Sequence, residues 1–469
     1  MTKRISLFIF IASILFICSC SNTKYLPAGA SLYTGSKVVV NTTGKTEKKS
    51  KALKEELSAL TRPRPNKSIL GLRFKLWIYN IAGHPKKETS LRGKLKYKVG
   101  EPPVLLSDLD LDRNIKILAA NLQNQGFYQA SVIGDTVVKK RRATAVYTAA
   151  TGNQYMIKEV AFEKDSSILS RTIAMSAAES FLKPGNPYNL DVIQAERNRI
   201  DAYLKENGFY YFNPEFLYIA TDSSIGNHMV NLYVNLKPTA PPQAKRVYQI
   251  DSIYIFSNYR LGAGSTDTIK NTAKLYNGYR ISDRQNRYKP KMFEQMMLFN
   301  PGDIYKRSSH NLTLNRLITL GLFKFVKNRF EMSPQRDTPK LNTFYYLTPL
   351  PKKSLKLELN GSTKSNNLTG STLSASWRNR NTFRGGELLS ITAIGGFEVQ
   401  YSGQLAGYNT YRGGLEANLA IPRFVVPFFN LNTRGGFVPK TNILLAYDLL
   451  NKQKLYSLNS FRAAYGYTW

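Results

Sequence analysis

From Ser354 to Trp469 the chain alternates apolar and polar side chains with a period of two, and no other feature limits its fold as strongly. Leu355, Leu357 and Leu359 alternate with Lys356, Glu358 and Asn360. Leu389, Ile391, Ala393, Phe397, Val399 and Tyr401 share one parity, opposite Ser390, Thr392, Glu398 and Gln400. Leu415, Ala417, Leu419 and Ile421 oppose Glu416 and Asn418, and Phe461, Ala463, Tyr465, Tyr467 and Trp469 oppose Ser460, Arg462 and Thr468. A period of two belongs to strands, not helices, and gives each strand one apolar and one polar face. A soluble sandwich would turn the apolar face to a core, whereas a membrane barrel would turn it to lipid and the polar face to a lumen. Aromatic strand ends and small residues on the polar side favour the barrel. The pattern predicts about six strands between 354 and 469, the first at Ser354 to Asn360. Single-chain barrels start at about eight strands. An open edge in hydrocarbon leaves backbone groups unpaired, so the reading expects a sequence truncated relative to its relatives, or an oligomer.

Ahead of this region the same punctuation recurs three times: a helical pattern, a glycine, an apolar or aromatic pair, then a β-like run. The copies are Leu122-x3-Gly126-Phe127-Tyr128, Leu204-x3-Gly208-Phe209-Tyr210 and Leu317-x3-Gly321-Leu322-Phe323. A glycine just past an amphipathic run reads as a helix C-cap, because it enters the left-handed region without a Cβ penalty. The leucine one turn earlier then faces the core, and the pair after the glycine is expected to start a strand. Upstream of each copy lies a turn: Gly100-Glu101-Pro102-Pro103, Pro184-Gly185-Asn186-Pro187-Tyr188 and Pro301-Gly302-Asp303-Ile304-Tyr305. Entering strands at Tyr155 to Phe162 and Val247 to Phe256, and later ones at Val230 to Leu236 and Leu341 to Leu347, complete a β-α-α-β-β order. The fold class is therefore α+β repeats, three β-α-α-β-β modules, followed by part of an antiparallel transmembrane β-barrel.

The N-terminus reads as an export signal. Lys3 and Arg4 precede an apolar run from Ile5 to Ile17 that is too short to span a bilayer. It ends in Ile17-Cys18-Ser19-Cys20, with a small residue directly before a cysteine, as at a bacterial lipoprotein cleavage site. Cys20 is the expected acylated residue, since cleavage before Cys18 would put bulky Ile17 at the small-residue position; an ordinary signal with incidental cysteines is the alternative. Ser21, Asn22, Thr23 and Lys24 bring no acidic cluster, which points to retention on the periplasmic side.

The 66 Lys and Arg against 31 Asp and Glu give a formal charge of +35. Export argues against nucleic acid as the partner. Residues 61–98 hold eleven Lys or Arg and one Glu, 11 − 1 = +10 net, either a solvated basic face or one meant for anionic headgroups. Catalytic signatures fail: His84, His228 and His310 are far apart without metal-ligand spacing, and no nucleophile elbow, P-loop or H-E-x-x-H occurs. Asp108, Asp110 and Asp112 imitate the start of a calcium loop, but Arg113 and Ala119 stand where glycine and glutamate are needed, so they read as helix-start residues. No enzyme activity, cofactor or metal is expected.

The repeat and its Pro-Gly-x-x-Tyr turn resemble the polypeptide-transport-associated (POTRA) module. The chain as a whole resembles the BamA/TamA outer-membrane assembly superfamily, most closely its lipid-anchored TamL-type branch with a surface-antigen-type barrel. The residues behind this are Cys20 to Pro27, the run from Arg64 to Asn80, Gly100 to Val104, and the turn Asn379 to Glu387. The resemblance implies periplasmic POTRA modules, a sixteen-stranded barrel of which only the amino-terminal strands are present, a lipid-anchored outer-membrane location, unfolded outer-membrane protein clients and a TamB-like periplasmic partner. Domains are expected at 1–19 (signal), 20–35 (anchor linker), 36–150 with a basic insertion at 61–98, 155–238, 245–350 and 354–469 (barrel strands). Candidate site residues are Cys20, the repeat glycines Gly126, Gly208 and Gly321, and the barrel turn Asn381, Phe383, Gly385, Gly386 and Glu387. The expected function is assembly or insertion of outer-membrane proteins by strand pairing; a two-partner secretion pore and a lipid-anchored scaffold without insertion activity are the alternatives.

Overall fold

The computed structural model describes residues 23–42, 47–69, 71–163, 165–259, 272–333, 338–365, 368–400, 409–429, 431 and 435–469. The signal segment, Cys20 and Tyr401 fall outside the described residues. The chain divides into two compact bodies, Met1–Lys164 with Ala177–Arg199 and Leu217–Lys237, and Asp165–Ser176 with Ile200–Phe216 and Pro238–Trp469.

The first unit runs β1 (Leu32–Asn41), α1 (Glu47–Leu60), the insertion helices α2 (Phe74–Ile81) and α3 (Leu91–Lys94), then α4 (Leu111–Asn124), β2 (Ser131–Lys139) and β3 (Arg142–Ala150). Its sheet order is β1-β3-β2, with β1 parallel and β2 antiparallel to β3. Leu53, Leu57, Leu118 and Leu122 from the two long helices are buried with Tyr33, Val38, Ala145, Tyr147 and Ala149 from the sheet. β1 begins at Leu32, inside the segment expected to be linker. The shift has a local cause: Gly35 at φ +128° and a register break between Tyr33 and Ser36 interrupt the alternation that would have marked the strand.

The second unit repeats the chain order with β4 (Met156–Phe162), α5 (Ile168–Met175), α6 (Leu190–Glu206), β5 (Leu217–Asp222) and β6 (Met229–Leu236). Its sheet order is β4-β6-β5, and β4 is parallel to β6. The third runs β7 (Gln249–Phe256), β8 (Lys274–Tyr276), β9 (Tyr279–Ser282), α7 (Pro290–Met296), α8 (Arg307–Thr319), β10 (Phe323–Met332) and β11 (Lys340–Pro349). Here the plain β-α-α-β-β expectation is corrected. A hairpin, β8–β9, adds itself to the free side of β7, giving the order β10-β11-β7-β9-β8. Strands of three and four residues are too short to show a period.

Helix ends explain the Leu-x3-Gly signature. The N–H of Phe127 donates to the Leu122 carbonyl, and that of Phe209 to the Leu204 carbonyl, each at 3.0 Å, across a left-handed glycine. This closure satisfies an orphan carbonyl and puts the following aromatic ring beside the leucine. The expectation that the pair opens a strand holds only in the third copy, where β10 starts at Phe323. In the others the strand starts later, at Ser131 and Leu217, because the second ring of the pair is used elsewhere.

The last region is a six-stranded antiparallel sheet in chain order: β12 (Lys353–Thr363), β13 (Leu368–Arg380), β14 (Leu388–Gln400), β15 (Thr410–Ile421), β16 (Lys440–Lys452) and β17 (Tyr456–Thr468). Its register aligns the alternation from strand to strand. Leu357, Ala375, Ala393, Leu415, Tyr447 and Phe461 form one row across all six strands. Leu355, Trp377, Ile391, Ala417, Leu445 and Ala463 form another. The row between them is Lys356, Ser376, Thr392, Glu416, Ala446 and Arg462. Leu355, Leu357, Leu415, Leu445 and Phe461 are exposed, so no described element covers the apolar face. Among the described residues no helix is long and apolar enough to cross a membrane, which bears only on helices.

Candidate functional site: the junctions and the 381–387 turn

Each repeat glycine sits at a joint. Gly126, Gly208 and Gly321 adopt φ +85°, +94° and +73° after α4, α6 and α8. The carbonyl of Gly126 accepts from Tyr155 N, and the carbonyl of Tyr155 accepts from Tyr188 N, both at 2.9 Å. At the next joint the carbonyl of Gly208 accepts from Tyr248 N and that of Tyr248 from Tyr305 N, again at 2.9 Å. Tyr188 and Tyr305 are the tyrosines of the two Pro-Gly-x-x-Tyr turns. Thus the glycine of one unit is bonded to the entering strand of the next, and that strand to the next unit's turn.

The aromatic pair divides its work accordingly. Phe127 and Phe209 are buried, while the second ring crosses the joint. Tyr128 meets Tyr155 and Tyr188 at centroid distances of 4.9 and 5.4 Å. Tyr210 meets Tyr305 and Phe330, both at 5.0 Å. Such edge-on and tilted ring pairs contribute about 0.5–1.5 kcal/mol beyond burial. Burial raises the phenol pKa of Tyr128, Tyr210 and Tyr305 above the ordinary value. A Cβ built on Gly208 would lie 2.6 Å from Val247 Cγ1 and 2.8 Å from Ile304 Cγ2, so at this joint the missing side chain, not only φ, is required.

At the third joint the partner is the six-stranded sheet. Between β13 and β14 the chain turns through 381–387, held from within by Asn381 and Glu387. Asn381, at φ +70°, donates from its N–H to the Glu387 carbonyl at 2.7 Å and accepts at Oδ1 from Gly386 N at 3.0 Å. Buried Glu387 accepts at Oε2 from Phe383 N (3.1 Å) and Gly385 N (2.9 Å), which fixes the carboxylate as the turn's inner support. The same turn grips the third unit. Asn381 Nδ2 donates to the Arg287 carbonyl at 2.7 Å, Lys289 N donates to the Arg384 carbonyl at 2.7 Å, and Arg384 bonds Asn286. Gly386, at φ +88°, leaves a gap that Leu320 and Leu322 fill, and a Cβ there would come within 3.4 Å of both. Leu320 and Leu322 flank Gly321, so the third copy of the repeat motif docks the sheet as the first two dock the next unit. Phe383 contributes its N–H while its ring is exposed.

Beside the turn is a cleft of about 580 Å³ whose walls include Arg287, Lys352, Arg380 and Arg384 and no carboxylate. Arg380 Nη1 donates to Ser354 Oγ at 3.1 Å, tying β13 to β12. Tyr288, also in the wall, has its phenol pushed up to about 12 by burial. On the other side of the joint the Arg316 guanidinium, buried in α8, donates to the Gly435 carbonyl at 2.9 Å and the Gln295 carbonyl at 2.9 Å.

Among the described residues no group of three or more His, Cys, Asp or Glu is placed to hold a metal ion. His228 stacks edge-on to Tyr155, and His310 lies against Phe330. Asp110 caps α4 by accepting from Arg113 N at 2.9 Å, and Asp108 accepts from Leu105 N at 2.8 Å. The arrangement positions folded units against one another and against a sheet. The sequence marks Tyr188 and Tyr305 as turn residues and Tyr128 and Tyr210 as repeat residues, and carries no signal that brings them together across a joint.

No protein-family model matches the chain, and no curated protein does. Solved structures with a similar arrangement include the POTRA3–5 segment of Haemophilus influenzae BamA, at 13% identity and a TM-score of 0.33, covering 69% of this chain and 99% of that one. Haemophilus ducreyi BamA lacking POTRA domains 1–3 superposes at 12% identity and a TM-score of 0.37, over 67% of this chain and 59% of that one. CdiB from Acinetobacter baumannii gives 14% identity and a TM-score of 0.28, over 67% and 57%. TM-scores in this range carry no functional inference.

Proposed function

We propose that the chain is an outer-membrane biogenesis factor that assists assembly or insertion of outer-membrane proteins by β-strand pairing, its three POTRA-like units lying in the periplasm and its six-stranded sheet forming part of a transmembrane β-barrel. The observation that carries this reading is the pair of apolar rows that run in register across all six strands with no described element over them. Water does not tolerate a face of that size, and lipid does. The polar face supports the same reading, since Arg462 with Glu416 (3.1 Å) and Arg412 with Asp448 (3.6 Å) pair there, as on a lumen wall.

Strand pairing is the activity the architecture can offer. Among the described residues β12 pairs with β13 alone, and its other edge faces outward as a template for an added strand. The joints hold that edge at a fixed place relative to the third unit through Arg380 and the 381–387 turn. Clients are then unfolded barrel strands, with lipid anchoring at Cys20 and a TamB-like periplasmic partner as further parts of the proposal.

The test is reconstitution of the chain in vesicles followed by addition of a urea-unfolded outer-membrane barrel protein. Faster appearance of heat-modifiable, protease-resistant client in the bilayer than with empty vesicles is expected, together with cross-linking of client to a photoreactive side chain replacing Lys356 or Asn360. Client recovered in the vesicle lumen would favour the secretion pore. No acceleration with the sheet itself inserted would leave only the scaffold.

A further inference from the structure

The insertion between α1 and α4 presents a surface that neither the joints nor the sheet uses. We propose that it is a docking face for an anionic phospholipid bilayer, distinct from the sheet and acting in the plane of the membrane surface.

The insertion is a built structure. α2 is anchored by Leu76, buried with Leu26 and Leu32. α3 continues directly into a π-helical turn, Leu95–Val99, which folds back on α2. Buried Lys96 ties the two arms, donating from Nζ to the Gly83 carbonyl at 2.6 Å while lying 4.7 Å from the Tyr79 ring centroid. Glu101 N closes the hairpin on the Lys75 carbonyl at 3.1 Å.

On this fixed frame the outward side chains are of two kinds. Leu91, Leu95 and Val99 follow one another at four-residue steps and are 81%, 48% and 45% exposed, where a solvated helix would carry polar groups. Ile81, 59% exposed, and Phe74 add to them from α2. Between and beside them Lys75, Lys86, Lys87, Arg92, Lys94 and Lys98 are exposed, and among the described residues none of these forms a salt bridge. The only carboxylate in residues 61–98 is Glu88. Apolar side chains outward among unpaired cations is the chemistry of a helix lying at a membrane interface, with the apolar groups below the headgroups and the cations level with lipid phosphate. A merely solvated basic face has no use for Leu91 or Ile81. Position agrees: Cys20, the proposed acyl site, precedes β1 by twelve residues, at most about 40 Å of extended chain, so this unit stays within reach of a bilayer.

The experiment uses the full chain, reconstituted in vesicles of phosphatidylcholine alone or mixed with phosphatidylglycerol, and reads amine-reactive labelling of each lysine by mass spectrometry. Lys75, Lys86, Lys87, Lys94 and Lys98 should be protected roughly tenfold on the anionic vesicles only. Lys139 and Lys140, exposed in the β2–β3 hairpin of the same unit, serve as the reference and should be unchanged. Leu91→Ser combined with Leu95→Ser changes two exposed side chains that belong to no buried core, and should cut the protection severalfold. Equal labelling on both vesicles overturns the proposal, and so does protection that survives the double serine variant undiminished, since that would be counterion attraction without docking. Neither result bears on strand pairing by β12, so the two proposals fail separately.

Discussion

Asn381 donates from Nδ2 to the carbonyl oxygen of Arg287 at 2.7 Å, and through this bond the turn between the second and third strands of the sheet is tied to the third unit. The same side chain accepts from Gly386 N, so one residue holds both the shape of the turn and its seat.

Asn381→Ala should therefore cost about 2–4 kcal/mol, from two lost hydrogen bonds and from an alanine forced to positive φ. Asn381→Gly keeps the backbone conformation and should cost about half as much. Denaturant unfolding of the full chain in detergent, with limited proteolysis at 381–387, reads both. Wild-type behaviour of Asn381→Ala would mean that the turn does not tie the sheet.

The repeat glycines should respond unequally. Gly208→Ala meets Val247 and Ile304, whereas Gly321 has no atom within 4 Å of a built Cβ. Both variants suffer the positive-φ penalty of about 1–2 kcal/mol. Only Gly208→Ala should cost clearly more, with faster hydrogen exchange at Tyr248 and Tyr305. Gly321→Asn should be close to neutral, because asparagine tolerates the left-handed region.

Acid should loosen the third unit through His310. Burial, and after it the Arg307 guanidinium, push its imidazole down from 6.5 to about 4. The unfolded chain takes up the proton near 6.5 and the folded one only near 4, so this stability is present above 6.5 and is lost as pH falls through that window. His310→Phe, set among Tyr305 and Phe330, should remove that slope. Melting of variant and wild type from pH 7 to 4 checks it, since titrating carboxylates contribute equally to both; parallel curves would count against a neutral, buried His310.

Cys20→Ala should abolish fatty-acid labelling and leave the precursor uncleaved. Full labelling in that variant would place the acyl group elsewhere.

The sheet was legible because its signal is redundant: β12, β14, β15 and β17 each carry the period, whereas β16, with Leu444 and Leu445 adjacent, blurs it. The expected start at Ser354 lies one residue from the observed Lys353. The repeat was legible through Leu122, Gly126 and their counterparts, whose spacing is a local consequence of how a helix closes. What the joints do was not legible, because Tyr128 against Tyr188 and Tyr210 against Tyr305 are contacts between residues 60 and 95 positions apart, from 188 − 128 and 305 − 210. Each of the four tyrosines is visible in the sequence only as part of its own motif. The hairpin β8–β9 and the early start of β1 escaped for another reason: three- and four-residue strands and a bulged one carry no period to detect.

Glu387 supports the 381–387 turn from inside, while the hydrogen bonds that seat the turn go to residues 286–289, all earlier in the chain. A polypeptide made from its N-terminus completes this seat before the strands that need it have been synthesised. The turn between β13 and β14 thus takes its shape from its own residues and its seat from residues that precede every strand of the sheet.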